Sequence, residues 1–336
     1  MLAGQKGSMM LNENDYGNRD ARGHWTPNVK PETNPFFERK WNSAKISGFI
    51  KGYFFPWNML FLALGWLSFY GLSFFKSDFT DFSLQWLAVL YVKNAIILIG
   101  VYGFLEVRLY VQKRQSHRFK YNSKFPGGRT SDKFAFKSQY SDNIAFTFLS
   151  GIPVWSAYEF GMMYCWANEF GLWSFAGQNL VWLSVLTLFV PLIHEFHFYC
   201  IHRLLHFPVF YRYVHSVHHR AVNPTPLSSL SMHPLEHVLY WSGCLIHLLL
   251  PSHPFIALYH LQLTGTGALV GHIGFDRIEI GKGSVKTHAF AHYLHHKYFN
   301  VNFGDGAVPF DKLFGTWHDG SPQSEREFQR KRTEDR

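Results

Sequence analysis

The sequence predicts an all-α integral membrane protein, with about four transmembrane helices in two hairpins followed by a histidine-rich region suited to metal. Three observations carry this reading. Charged residues (DEKR) make up 16% of the chain against 47% hydrophobic and 18% aromatic, where soluble domains carry about 25% charged. Long stretches lack any charged side chain. Of the 20 histidines, 18 lie between His194 and His318, which divides the chain into an anchoring half and a chemical half. A disordered or collagen-like chain is excluded, and an ordinary soluble enzyme fits poorly. Cys165, Cys200 and Cys244 stand in apolar runs without CxxC spacing, which excludes a disulfide framework and a Cys-ligated zinc module.

Residues 1–50 are polar, punctuated by Pro and Gly, and expected to form a loosely ordered arm with no cleaved signal peptide. Residues 51–200 are expected to hold the hairpins. Positions 52–75 contain no charge and exceed the ~20 residues a span requires. A second span, 82–105, is interrupted by Lys93, which costs about 2.5–3.5 kcal/mol in lipid unless it snorkels or faces a polar interior. The loop 107–142 carries Arg108, Lys113, Arg114, Arg118, Lys120, Lys124, Arg129, Lys133 and Lys137 against Asp132 and Asp142. The positive-inside bias makes it cytosolic. Anionic head groups explain its charge more simply than nucleic acid does. Segments 143–166 and 170–194 form the second hairpin. Within the histidine-rich region 201–320, positions 238–275 again lack charge but contain Pro251 and Pro254. The resulting halves are short for spans, so 238–271 is expected to be a re-entrant or interfacial hairpin. Residues 321–336 form a charged, solvated tail.

Three clusters carry the chemistry: His202 and His206 in an HxxxH; His215, His218 and His219 in an HxxHH; and His292, His295 and His296 in another. On a helix, positions i, i+3 and i+4 share a face, so each cluster points its rings to one place. Neutral imidazole suits Fe, Cu, Zn and Ni. Eight such rings exceed what one ion holds, which asks for two metals close together. A lone HxxxH is more often a pair of surface histidines. Two HxxHH motifs with an HxxxH, separated by apolar residues at helical spacing, argue for a packed site rather than a low-complexity metal buffer.

The stretches "HEFHFYCIHRLLH", "YRYVHSVHHRAVNPTPLSSLSMHPLEH", "GHIGFD" and "HYLHHKYFNVNFGDGAVPFDKLFGT", from about Glu195 to Gly315, resemble the sterol desaturase and fatty acid hydroxylase superfamily of membrane di-iron oxygenases. The resemblance implies four spans carrying a cytosolic helical cap, in which histidines alone hold two irons (zinc can replace them in a purified sample). It implies O2 as oxidant and electrons from NAD(P)H. These arrive through a separate b-type cytochrome or ferredoxin-like donor, since "FPGGR" at 125–129, similar to a haem-binding HPGG, has Phe125 in place of His. By the same match His233, His237 and His272 join the ligands. Glu195, Glu236, Asp276 and His288 are candidates to orient ligand rings, and Arg203 to pair with one of these carboxylates. The remaining histidines read as ordinary hydrogen-bonded or interfacial side chains.

The implied activity is O2-dependent desaturation or hydroxylation of a lipid. "NPTPLSSLSMHP" is similar to the corresponding stretch of C-5 sterol desaturases, which puts a sterol first. Sterol 4-methyl oxidases and fatty acid or sphingolipid hydroxylases share the histidine frame, and alkylglycerol monooxygenase belongs nearby. The implied membrane is the endoplasmic reticulum in a eukaryote or the inner membrane in a bacterium, with the active site cytosolic. A non-catalytic membrane metal-binding protein or transporter is the alternative of another class. Transporters, however, place ligands inside spans at the midplane, whereas most of these histidines fall just outside.

Overall fold

The computed structural model describes residues 11–31, 34–71, 74–127, 130–173 and 179–334, and these are mostly helical. Two helices, Leu84–Val111 and Leu180–Leu205, are long and apolar enough to cross a membrane. Only 28% of each apolar window is buried inside the protein, so both present bare hydrocarbon outward. Ser83 starts the first by accepting the Trp86 N–H. A third long helix runs through 139–167, capped by Ser138 and thickened by one π turn at Thr147–Gly151.

The expected span at 52–75 is broken. Pro56 lacks an N–H and disfavours helical geometry at the residue before it, so the chain forms two helices, Ser43–Phe54 and Trp57–Tyr70. At about 1.5 Å per residue, the 14-residue second piece reaches about 21 Å, short of a ~30 Å hydrocarbon core. The expected 170–194 segment starts later and runs further, to Leu205. That extension carries His202 to the helix end and leaves His206 as its C-cap.

The second limb of the expected 238–271 hairpin is the helix Pro254–His272, entered through the Pro251–Pro254 break. It is apolar on nearly every side, which marks a central helix rather than one lying on an outer face. Fourteen of its 19 residues are buried. Close approach at two glycines seats it. A Cβ on Gly65 would fall 2.7 Å from the Tyr259 Cα, and one on Gly265 2.6 Å from the Trp155 ring. Leu84–Val111 and 139–167 are joined by a buried polar set. Lys93 faces inward and pairs with Glu159, whose other oxygen accepts from Asn94 at 2.9 Å, and Asn94 also donates to Ser156. The costly lysine is thus paid for by a carboxylate on the neighbouring helix.

The N-terminal arm, expected to be loose, is folded where it is described. Strands Gly17–Arg19 and Trp25–Pro27 pair antiparallel. Trp25 is buried in a cluster with Phe119, Tyr121, Phe290, Tyr293 and Leu294. The basic loop is also partly internal. Arg108 donates to the Glu279 carbonyl, and Arg118 pairs with the Glu279 carboxylate at 2.7 Å. Lys120 is buried under the faces of Tyr110, Phe125 and Phe275, and burial lowers it to about 7. Phe125 of "FPGGR" therefore packs under cations; Gly128 and Arg129 lie outside the described residues. A second antiparallel pair, Arg277–Ile280 with Gly283–Lys286, leads into the helix Phe290–Tyr298, and the tail helix Pro322–Glu334 buries no residue.

Candidate metal centre

Nine of the eleven candidate histidines converge, and they do so in two groups. One holds His202, His206, His215, His219 and His295; the other holds His218, His272, His292 and His296. Within each group the facing nitrogens lie within 4.8 Å of one another. The groups adjoin, with the His219 and His296 rings 4.8 Å apart between centroids.

The division corrects the expectation that each motif serves one point. At about 100° per residue, i+4 falls about 40° from i while i+3 falls about 60° to the other side. In "HSVHH" the i and i+4 rings, His215 and His219, enter the first group, and His218 enters the second. In "HYLHH" the order is reversed: His292 and His296 enter the second group and His295 the first. Each short helix therefore contributes to both groups. The opposite face of Phe290–Tyr298 puts Phe290, Tyr293 and Leu294 into the Trp25 cluster, which fixes its rotation.

Nitrogen distances within the groups fit a cation. The His219 Nε2 lies 3.0 Å from that of His215 and 3.2 Å from those of His206 and His295. The His272 Nε2 lies 3.1 Å from those of His218 and His296 and 3.2 Å from that of His292. One ring nitrogen carries one proton at most, so a nitrogen facing three others cannot satisfy them all by hydrogen bonds. Ligands at right angles around an ion about 2.1 Å away lie about 3.0 Å apart. The observed spacings are close to that.

Second nitrogens set the tautomers. The Nδ1–H groups of His202, His295 and His272 donate to the carbonyls of Phe303 (2.7 Å), Val301 (2.6 Å) and Ala268 (2.9 Å), which leaves each Nε2 lone pair facing inward. The His215 Nδ1–H donates to Glu236 at 2.7 Å. Burial lowers His206 to about 2, and burial reinforced by neighbouring rings holds His215, His218, His219, His292, His295 and His296 well below the usual histidine value. Neutral rings are the ligating form. Burial also pushes Glu236 well above the carboxylate range.

His233 and His237 stand apart from both groups. The His233 ring caps its own helix by accepting the Leu235 N–H. His237 donates from Nε2 to the Leu230 carbonyl and accepts at Nδ1 from Ser150. Of the four candidates to orient rings, Glu236 alone reaches an imidazole of either group. Glu195 accepts the backbone N–H groups of Gly306 and Val308 instead, tying down the loop whose Phe303 carbonyl holds His202. Asp276 accepts from the Tyr121 hydroxyl at 3.4 Å. His288, at φ 58°, lies on a cavity wall. Arg203, expected beside a carboxylate, stacks over Phe303. Backbone carbonyls do most of the orienting, and no side-chain pattern announces them.

A cavity of about 410 Å³ reaches the rings of His202, His215, His218, His272 and His292, within the size range of small-molecule sites. Its wall is largely apolar, with Phe49, Trp57, Phe61, Phe198, Met232 and Leu263, and the arm adds Pro27, Val29 and Pro31 to its lining.

Residues 187–316 match the family model described as Fatty acid hydroxylase. The resemblance read from the motifs holds. The chain is 33% identical over 132 residues to the Delta(7)-sterol 5(6)-desaturase of Gibberella zeae, covering 38% of this chain and 36% of that protein. Its counterpart in Aspergillus fumigatus is 33% identical over 129 residues, covering 37% and 34%. A Fatty acid hydroxylase of Mycosarcoma maydis is 33% identical over 153 residues, covering 42% and 37%. The match thus spans little more than a third of the length of these relatives. No solved structure matches.

Proposed function

We propose that the chain is a membrane-bound oxidoreductase in which the nine converging histidines hold two metal ions, iron by family resemblance, and that it uses O2 to desaturate or hydroxylate a lipid. A sterol is the first substrate class, after the sterol desaturases it resembles. The observation that carries the reading is the paired imidazole groups at the end of an apolar cavity. Two ferrous ions there would activate O2, the oxidant, toward an unactivated C–H bond, a chemistry no side chain supplies. The chain's own residues do the rest. The carbonyls of Phe303, Val301 and Ala268, with Glu236, hold four rings in the ligating tautomer. Apolar walls position a hydrocarbon substrate and exclude water from it.

In this reading Leu84–Val111 and Leu180–Leu205 cross the bilayer, the helix 139–167 and the Trp57–Tyr70 helix pack with them as partial or complete spans, and the histidine region sits at the cytosolic edge. Electrons come from NAD(P)H through a separate b-type cytochrome or ferredoxin-like donor. Hydroxylation of an acyl lipid is the second reading, favoured by the similarity to the Mycosarcoma maydis hydroxylase.

Metal analysis with lipid profiling tests the proposal. The purified chain should carry about two irons, and a host supplying sterols and reductant should gain an oxidised lipid that disappears with His218→Ala/His219→Ala. Identical lipid profiles with and without the chain would overturn the enzymatic reading. Zinc transport into vesicles would replace it with the other class.

A further inference from the structure

The cavity wall carries three titratable side chains, Asp305, His288 and Lys286, with no hydrogen-bond or ion-pair partner among the described residues, and Asp305 is the one carboxylate of the three. Asp305 and His288 are both exposed where they line the cavity. In each case the flanking backbone is fixed. The Gly304 N–H donates to Asp311 at 2.8 Å and the Gly306 N–H to Glu195 at 2.8 Å, which leaves the Asp305 side chain turned to the cavity between two anchored amides. His288 follows Thr287, whose hydroxyl donates to the Phe275 carbonyl at 2.5 Å.

We infer that Asp305 is the specificity-determining acceptor for a hydroxyl group on an otherwise apolar lipid held in this cavity. A lipid that fills the cavity strips water from this carboxylate at a cost, and a donated O–H relieves that cost with a charge-assisted bond stronger than a neutral imidazole such as His288 can offer. Position adds a second consequence. Asp305 lies two residues beyond Phe303, whose carbonyl orients His202, and Glu195 and Asp311 hold that loop. A hydroxyl anchored at Asp305 therefore places the rest of the lipid at a fixed offset from the imidazole groups, which selects the carbon presented to them. Burial, with Asp311 adding to it, pushes the Asp305 carboxyl up to about 6, so it is mainly an acceptor at neutral pH. The inference rests on the proposed function only in taking this cavity as the lipid's place.

The test uses the full chain, metal-loaded, in phosphatidylcholine nanodiscs. The probes are a Δ7-sterol with its 3-methyl ether, and 1-octadecanol with its methyl ether; retention is read by mass spectrometry. The wild type should retain at least one alcohol about tenfold or more over its ether, because a site built around a hydroxyl leaves its own polar group unpaired when the hydroxyl is blocked. Asp305→Leu should bring that ratio near one at unchanged metal content. Asp305→Asn, equal in volume and still an acceptor, should leave an intermediate ratio and guards against misfolding of the leucine variant. His288→Phe should keep the preference. Equal retention of alcohol and ether by the wild type in both pairs, or a preference surviving in folded Asp305→Leu, overturns the assignment. A preference without any O2-dependent product would overturn the oxygenase reading and leave the assignment standing.

Discussion

Among the described residues Glu236 is the one carboxylate that touches a ring of either group, and its replacement separates orientation from ligation. Glu236→Gln can still accept the His215 Nδ1–H, so metal should remain bound. Affinity should fall about 10–100-fold, the usual cost of a disturbed outer partner, read by chelator competition. The lowered histidines make a second prediction. A ring whose folded value lies below the unfolded ~6.5 leaves the unfolded chain binding more protons between those two values, so stability falls as pH drops. His206 at about 2 and six others well below the usual value act in the same direction. The metal-free protein should be stable above about pH 6.5 and lose stability steadily below it, measured by thermal unfolding from pH 7.5 to 5; a flat profile would contradict the burial of these rings. At this scale most of the constellation was legible, because histidine spacing survives in sequence. The separate positions of His233 and His237 were not, since a helix cap at Leu235 and a bond to Ser150 depend on contacts that spacing does not encode.

Helices were legible as apolar stretches, and their ends were not. Pro56 stands inside the charge-free stretch 52–75, and the break it causes turns an expected span into two shorter helices. Lys93 had two expected fates, and only the neighbouring helix, by bringing Glu159, decides for the interior. The seating of Pro254–His272 gives a test of packing. Gly65→Ala would place a methyl 2.7 Å from the Tyr259 Cα, a backbone atom that cannot swing away, whereas the nearest atom to a methyl at Gly267 is 3.5 Å off. Gly65→Ala should cost about 1–3 kcal/mol by overpacking, and Gly267→Ala should be close to neutral. Unfolding of both variants in mild detergent checks the contrast. Equal stabilities would mean the two helices do not meet as described.

Across the whole molecule, the concentration of histidines in the second half of the chain was legible from composition, while the arm's role was not, because its polar sequence has no period to read. Trp25 joins the arm to the far end of the chain through Phe290, Tyr293 and Leu294, on the helix that supplies His292, His295 and His296. Trp25→Ala should therefore destabilise by about 3–5 kcal/mol, and the loss should appear as faster hydrogen exchange across 290–298 and weaker metal retention. Exchange confined to residues 11–31 would show the arm to be an appendage. The two groups have a further consequence through what they are made of. Imidazole donors bring no negative charge, and the nearest carboxylate is itself biased by burial toward its neutral form. A cation seated there keeps its whole charge in a poorly polarisable enclosure. Such a shell favours the lower oxidation state over the higher and draws in small anions, so azide or cyanide would find in it a ready counter-ion.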